Sequence, residues 1–333
     1  MRRPSLDQLD AGVRGGDRAL LARAITLVES TNPKHRAQAQ ELLARLLPAT
    51  GGSIRVGITG VPGVGKSTLL DALGLTLLDA GLRVAVLAVD PSSSLSGGSI
   101  LGDKTRMARL AMRPEAFIRP SPAGTTLGGV ARRTREALLL CEAAGFDVVL
   151  VETVGVGQSE TAVAELVDCF VVLALPGAGD ELQGIKKGVL ELADVLAVNK
   201  ADGDNVHRAN IALREHRAAL RYLRRRRPAW EPRSLLVSGQ TGLGLDELWQ
   251  AVLDHRATLT ESGDLPDIRA EQAVGWLRAE VGDRLWEAFD RHPAVAARLP
   301  GLQSEVRAGT TPPGAAAAEL LALFGLSDPP APG

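Results

Sequence analysis

The chain has 333 residues with 38 basic and 39 acidic side chains, a formal net charge of -1, so no global excess points to nucleic acid or an anionic membrane as partner. Two cysteines, Cys141 and Cys169, lie in apolar surroundings without CxxC spacing, which argues against a disulfide framework or a thiolate metal site. No apolar run approaches 18 residues and no apolar h-region follows Arg2 and Arg3, so a soluble, unexported protein of the reducing cytoplasm is expected.

From the N-terminus, Leu20, Leu21, Ala24, Ile25 and Val28 recur at three- and four-residue spacing, and Leu42, Leu43, Leu46 and Leu47 follow before Pro48. Residues 1–50 therefore predict a helical extension. From Ser53 the pattern changes to short apolar runs rich in β-branched residues: IRVGITG, VAVLAVD, VVLVET, FVVLALP and VLAVNK, with LLV at 235–237 as a sixth. Runs that are continuous rather than alternating mark strands covered on both faces. Residues 51–262 are thus expected to form a doubly wound α/β domain with a mostly parallel sheet.

After about Gly263 the strand signal stops, and WLRAEVGDRLWEAF places Leu277, Val281, Leu285 and Phe289 at successive steps of four. Two readings stay open for residues 263–333. The helix caps its own domain, or it is a dimerisation arm that buries Trp276 and Trp286 against a second subunit. The closing TPPGAAAAELLALFGLSDPPAPG predicts one short helix and a Pro-rich end.

The chemistry concentrates first in Gly60, Val61, Pro62, Gly63, Val64, Gly65, Lys66, Ser67 and Thr68, a Gly-x4-Gly-Lys-Ser string between a strand and a helix. Glycines let backbone N–H groups approach phosphate oxygens closely, and the following helix adds its positive end. Lys66 is then placed to reach the β- and γ-phosphates, Ser67 to offer its hydroxyl to Mg²⁺, and Thr68 to lie by the α-phosphate. Glu152, at the end of VVLVET, is a candidate metal and catalytic carboxylate, with Gly155 offering an N–H to the γ-phosphate. Asp90 and Asp103 flank a Ser- and Gly-rich stretch, which reads either as a turn with an Asx cap or as a switch whose acids approach the metal and the attacking water.

Asn199, Lys200 and Asp202 form an NKxD string after the strand VLAV. A carboxylate there accepts both N1–H and N2–H of guanine, a pair adenine cannot supply, and a lysine stem can cover the base. Ser238, Gly239 and Gln240 are expected to meet the base through backbone amides. The order of the three elements predicts GTP rather than ATP, turned over to GDP by attack of water on the γ-phosphate, with no evident built-in arginine finger beyond Arg106, Arg109, Arg132 or Arg133. The five histidines show no HExxH grouping, and Arg224 to Arg227 reads chiefly as a solvated helix end.

Together with VDPSSS, ETVGVGQSE and PGAGDELQGIKKG, these motifs resemble the metallochaperone-related branch of P-loop GTPases that attends cobalamin-dependent acyl-CoA mutases, the methylmalonyl-CoA mutase-associated chaperone family, also labelled a lysine/arginine/ornithine transport kinase family. The resemblance implies a homodimeric GTPase chaperone that binds a mutase and gates loading of adenosylcobalamin, the cobalamin staying on the partner. It assigns Asp90, Asp103 and Glu152 as metal and switch acids and puts Lys186 in an extra switch loop, where it contacts the mutase and helps to stabilise phosphate charge. Two other functions compete: a nucleotide-dependent metallochaperone, which needs a His-rich tract or paired Cys and His ligands near the switches, and a kinase acting on an amino-acid transport protein.

Overall fold

A computed structural model of the chain describes residues 4–89, 107–120, 127–153, 159–177, 187–223 and 226–326. Three capped helices come first: α1 (Leu6–Arg14), α2 (Arg18–Val28) and α3 (Pro33–Leu46). Each begins on a side chain that satisfies otherwise unpaired first-turn amides. Ser5 and Gln8 form a reciprocal capping box, Asp17 accepts from the Ala19 and Leu20 N–H groups, and Asn32 accepts from Lys34 with Pro33 behind it. Leu21, Ala24, Ile25 and Val28 are buried, as their spacing predicts, and so are Leu42 and Leu46.

The chain then alternates strand and helix: β1 (Ile54–Gly60), α4 (Lys66–Asp79), β2 (Val84–Val89), α5 (Ala108–Ala111), β3 (Ala116–Arg119), α6 (Leu127–Ala143), β4 (Val148–Thr153), α7 (Ser159–Ala164), β5 (Cys169–Ala174), α8 (Lys187–Leu190), β6 (Val195–Val198), α9 (Val206–Tyr222), β7 (Arg233–Leu236) and α10 (Leu245–Glu261). Among the described residues the strands form one sheet in the order β3-β2-β4-β1-β5-β6-β7, and every ladder is parallel. Every residue of β2, β4, β5 and β6 is buried, the physical reason those segments read as unbroken apolar runs.

β3 is the strand that sequence reading misses. Its four residues lie at one edge of the sheet and pair with β2 among the described residues. At the centre, β1 lies between β4 and β5, and the chain leaves it toward β2 on one side but crosses to β5 after β4. The carboxyl ends of strands at such a reversal open the crevice in which α/β folds bind ligands.

Within the arginine run at 224–227, Arg226 and Arg227 are not simply a solvated face. Arg226 Nη2 donates to the Ala164 carbonyl at 3.1 Å, and Arg227, buried, lies 4.0 Å from Asp194 Oδ1. Burial opposes ionisation of Asp194, but the His255 ring at 3.5 Å and the arginines outweigh it and hold the carboxyl below the usual carboxylate range. Trp230 closes the cluster, edge-on to His255 at 5.0 Å.

Three helices close the described residues: α11 (Asp264–Arg291), α12 (Pro293–Arg307) and α13 (Pro313–Leu323). Residues 1–272 and 273–333 form two compact units. The second has its own small core of Val295, Leu302, Ala316 and Leu320, against which Phe289 and Phe324 pack. Phe289 is thus partly covered, whereas Leu277, Val281, Leu285 and Trp286 stand exposed. No described helix is long and apolar enough to cross a membrane.

Candidate functional site

The loop between β1 and α4 sits at the carboxyl end of the central strand. Gly60, Gly63 and Gly65 all have positive φ (154°, 77° and 95°), and Gly65 is the residue from which α4 starts. The first-turn amides of α4 have no partners within the helix, and with the helix dipole they make this end favourable for an anion. Lys66 is 92% covered, its relative exposure being 8%, and its Nζ donates to the Gly60 carbonyl at 2.7 Å. Its ammonium is therefore held inside the curve of the loop rather than extended into water. Val61 turns back through a bond to Val64 N–H, Val64 is fully buried beneath the loop, and Pro62, Gly63 and Thr68 are exposed.

Glu152, on the neighbouring strand β4, is buried, and its Oε1 accepts from the Ser67 hydroxyl at 3.0 Å. In the sequence these two residues are related only by their place at strand and helix ends; the register of β4 with β1 brings them together. Behind them the Thr153 hydroxyl donates to Thr59 Oγ1 at 2.8 Å, a buried cross-strand pair that sequence spacing does not reveal. A hydroxyl beside a carboxylate, both of hard oxygen, suits a small divalent cation such as Mg²⁺.

The Asn199 to Asp202 segment is tied to the β1–α4 loop directly. Asn199, buried, donates from Nδ2 to the Val64 carbonyl at 2.7 Å, and its Oδ1 accepts from Gly239 N–H at 3.3 Å. Lys200 is the described non-glycine residue with a left-handed backbone (φ 58°), and its Nζ donates to the Gly63 carbonyl at 2.7 Å. A conformation that costs on the order of 1–3 kcal/mol is retained here while the side chains of Asn199 and of Lys200 itself are both anchored. The Ser238 hydroxyl donates to Asp202 Oδ2 and accepts from the Gln240 and Thr241 amides at 3.2 and 3.1 Å. Lys66, Ser67 and Glu152 thus gather at one end of the site, and Asn199, Lys200, Asp202, Ser238, Gly239 and Gln240 form its other wall.

Of the remaining sequence candidates, Asp90, Asp103, Gly155, Lys186 and Arg106 lie outside the described residues. Arg109 is committed elsewhere: its Nε donates to Asp71 Oδ2 at 2.7 Å, while Asp71 Oδ1 accepts from Leu110 N–H. Arg132 is buried. Glycine at 65 is required twice over, by its φ of 95° and because a Cβ there would stand 2.8 Å from Asn199 Nδ2. Gly65→Ala is expected to cost about 2–4 kcal/mol through left-handed strain and loss of the Asn199 bond. A thermal melt with and without GDP checks this: the variant should melt lower and gain less from nucleotide.

Residues 21–294 match the family described as methylmalonyl-CoA mutase-associated GTPase MeaB. The chain belongs to that family. Like the other members of the MeaB family it is a P-loop GTPase, an enzyme that binds guanine nucleotide and hydrolyses GTP to GDP and phosphate. Its relatives include the Escherichia coli GTPase ArgK, 52% identical over 286 residues that cover 84% of this chain and 86% of that protein. The mouse mitochondrial methylmalonic aciduria type A homolog is 45% identical over 332 residues, 96% of this chain and 79% of that protein. A crystal structure of a LAO/AO transport system kinase superposes with a TM-score of 0.76 at 40% identity, covering 98% of this chain and 99% of that one.

Proposed function

We propose that this MeaB-family GTPase binds a cobalamin-dependent acyl-CoA mutase of the methylmalonyl-CoA type in the cytoplasm. GTP binding and hydrolysis gate the loading of adenosylcobalamin and protect or reactivate the mutase, the cobalamin remaining on that partner. The observation that carries this reading is the match to a mutase-associated family over residues 21–294, which embraces the nucleotide site and every strand of the sheet.

Within the site, the P-loop residues Gly60 to Thr68 cradle the phosphates, and Lys66 neutralises charge on the β- and γ-oxygens. Ser67 and Glu152, with Asp90 and Asp103, would hold Mg²⁺, which when bound supplies charge neutralisation across the phosphates. Gly155 offers its amide to the γ-phosphate, Lys186 reaches the mutase and the phosphate charge from its loop, and Asn199, Lys200, Asp202 and the 238–240 turn select guanine. With no arginine finger evident in the sequence, hydrolysis by the isolated protein is slow and the mutase accelerates it by ordering the switch segments. GTP turnover measured with and without methylmalonyl-CoA mutase should rise at least tenfold in the complex. An unchanged rate together with failure of the two proteins to co-elute sinks the reading, and transfer of labelled γ-phosphate onto a transport protein would replace it with a kinase.

The exposed row of Leu277, Val281, Leu285 and Trp286 supports a homodimer through residues 263–333. Leu277→Glu combined with Leu285→Glu should convert a dimer to a monomer in sedimentation, without loss of the isolated protein's GTP hydrolysis. A wild-type chain that sediments as a monomer removes the dimer from the proposal.

A further inference from the structure

β7 ends the sheet, and beside its edge, which Gly244 covers at the Leu236 carbonyl, lies a groove that the nucleotide site does not use. The cavity has a volume of about 620 Å³, with Arg217 and Arg221 of α9 on one wall, Glu247 and Ala251 of α10 on the other, and Pro232 and Ser234 at its floor. The inward groups of β7 are spent on β6: Arg233 N–H donates to the Asp194 carbonyl and Val237 N–H to that of Val198. Alternate residues of a strand turn their backbone groups to opposite sides, so those of Ser234 face away from β6. In agreement, the Ser234 carbonyl accepts from Arg217 Nη2 at 3.1 Å, a charged side chain guarding an edge. Pro232, which has no N–H to offer, shares that outward register.

The two walls lie on opposite faces of the sheet. From β1 to β2 the chain moves one way along the strand order, and from β6 to β7 it moves the other way, so right-handed crossovers set α4 and α9 on opposite faces. α10 packs with α4 and thus faces away from α9. A strand added at this edge would send alternate side chains to the two walls. One set meets Arg217 and Arg221, on a helix that also exposes Arg214, and the other set meets Ala251 and Glu247.

We propose that the β7 edge is a docking site for an extended acidic segment of a partner protein, added as an eighth strand. Carboxylates at every second residue pair with Arg217 and Arg221, and apolar or basic residues at the intervening positions face Ala251 and Glu247. On docking, Arg217 releases the Ser234 carbonyl to an incoming backbone N–H and turns to the partner's carboxylates. Main-chain bonds supply affinity in this mode, and the alternate side chains supply specificity.

The test uses the full chain and a fluorescently labelled eight-residue peptide of alternating glutamate and valine, followed by anisotropy. Saturable binding is expected, weakened at least tenfold by Arg217→Glu with Arg221→Glu and at least tenfold for a peptide of the same composition arranged as a glutamate block and a valine block. Both arginines are solvent-exposed and outside the nucleotide site, so unchanged GTP hydrolysis shows that the variant keeps its fold. Independently of any variant, the peptide should slow hydrogen exchange at the Ser234 amide. Absence of saturable binding, equal binding of the block peptide, indifference to charge reversal, or unprotected exchange at Ser234 each overturns the proposal.

Discussion

Lys66→Ala should lower single-turnover GTP hydrolysis by about 10³-fold, comparable to removing a principal donor from a charge-stabilising site. The expectation follows from where the ammonium is held. Lys66 begins α4, is largely covered, and reaches the Gly60 and Val61 carbonyls at 2.7 and 3.4 Å, inside the curve of a loop whose glycines expose backbone N–H groups. Charge grows on the phosphate oxygens as the γ-phosphoryl group departs, so a cation fixed there stabilises the transition state more than bound GTP. The rate at saturating GTP should therefore fall further than nucleotide affinity. Thermal stability without nucleotide should shift little, because the bonds lost are to loop carbonyls near solvent. Lys66→Arg separates charge from shape: the bulkier planar guanidinium does not fit the same curve, and activity should stay low. Hydrolysis at the wild-type rate in the alanine variant would remove Lys66, and with it the loop, from the catalytic site.

How far the site was legible in the sequence follows from whether its determinants are local. The loop between β1 and α4 was legible because the glycines, the lysine and the start of the helix lie within nine consecutive residues. β1, β2, β4, β5 and β6 were legible because burial on both faces leaves an apolar run, whereas β3 and β7 are four-residue edge strands, of which only β7 was marked, by Leu235 to Val237. The bond from Asn199 to the Val64 carbonyl spans 135 residues and depends on β6 standing two places from β1, which no periodicity encodes. The Arg226 and Arg227 contacts were misread for the same reason, since Ala164 and Asp194 are supplied by other elements. The apolar spacing of 277–289 correctly marked one helix face but not its division: Phe289 joins a core made by α12 and α13, while Leu277, Val281 and Leu285 stay uncovered.

Asp202→Asn should reduce kcat/KM for GTP by about 10⁴-fold, the scale on which a hydrogen-bonding site rejects a ligand that leaves its buried groups mismatched. Guanine offers two donors, N1–H and N2–H, and Asp202 offers only acceptors. One of its oxygens already accepts from the Ser238 hydroxyl, which is itself fixed by the Gln240 and Thr241 amides, so the carboxylate's direction is set before nucleotide arrives. The asparagine amide can still accept from Ser238, but its NH₂ then faces guanine's own donors. The variant should accordingly stay folded and keep the loop contacts of Asn199 and Lys200 to Val64 and Gly63, since none of them involves position 202. Xanthine carries a carbonyl where guanine carries the 2-amino group, and the new NH₂ can donate to it. Xanthosine triphosphate should thus recover much of the lost activity and become the preferred substrate, while ATP remains poor with either chain. Steady-state comparison of the three nucleotides decides the matter: undiminished GTP turnover in the asparagine variant, with no gain for the xanthine nucleotide, would place guanine recognition elsewhere.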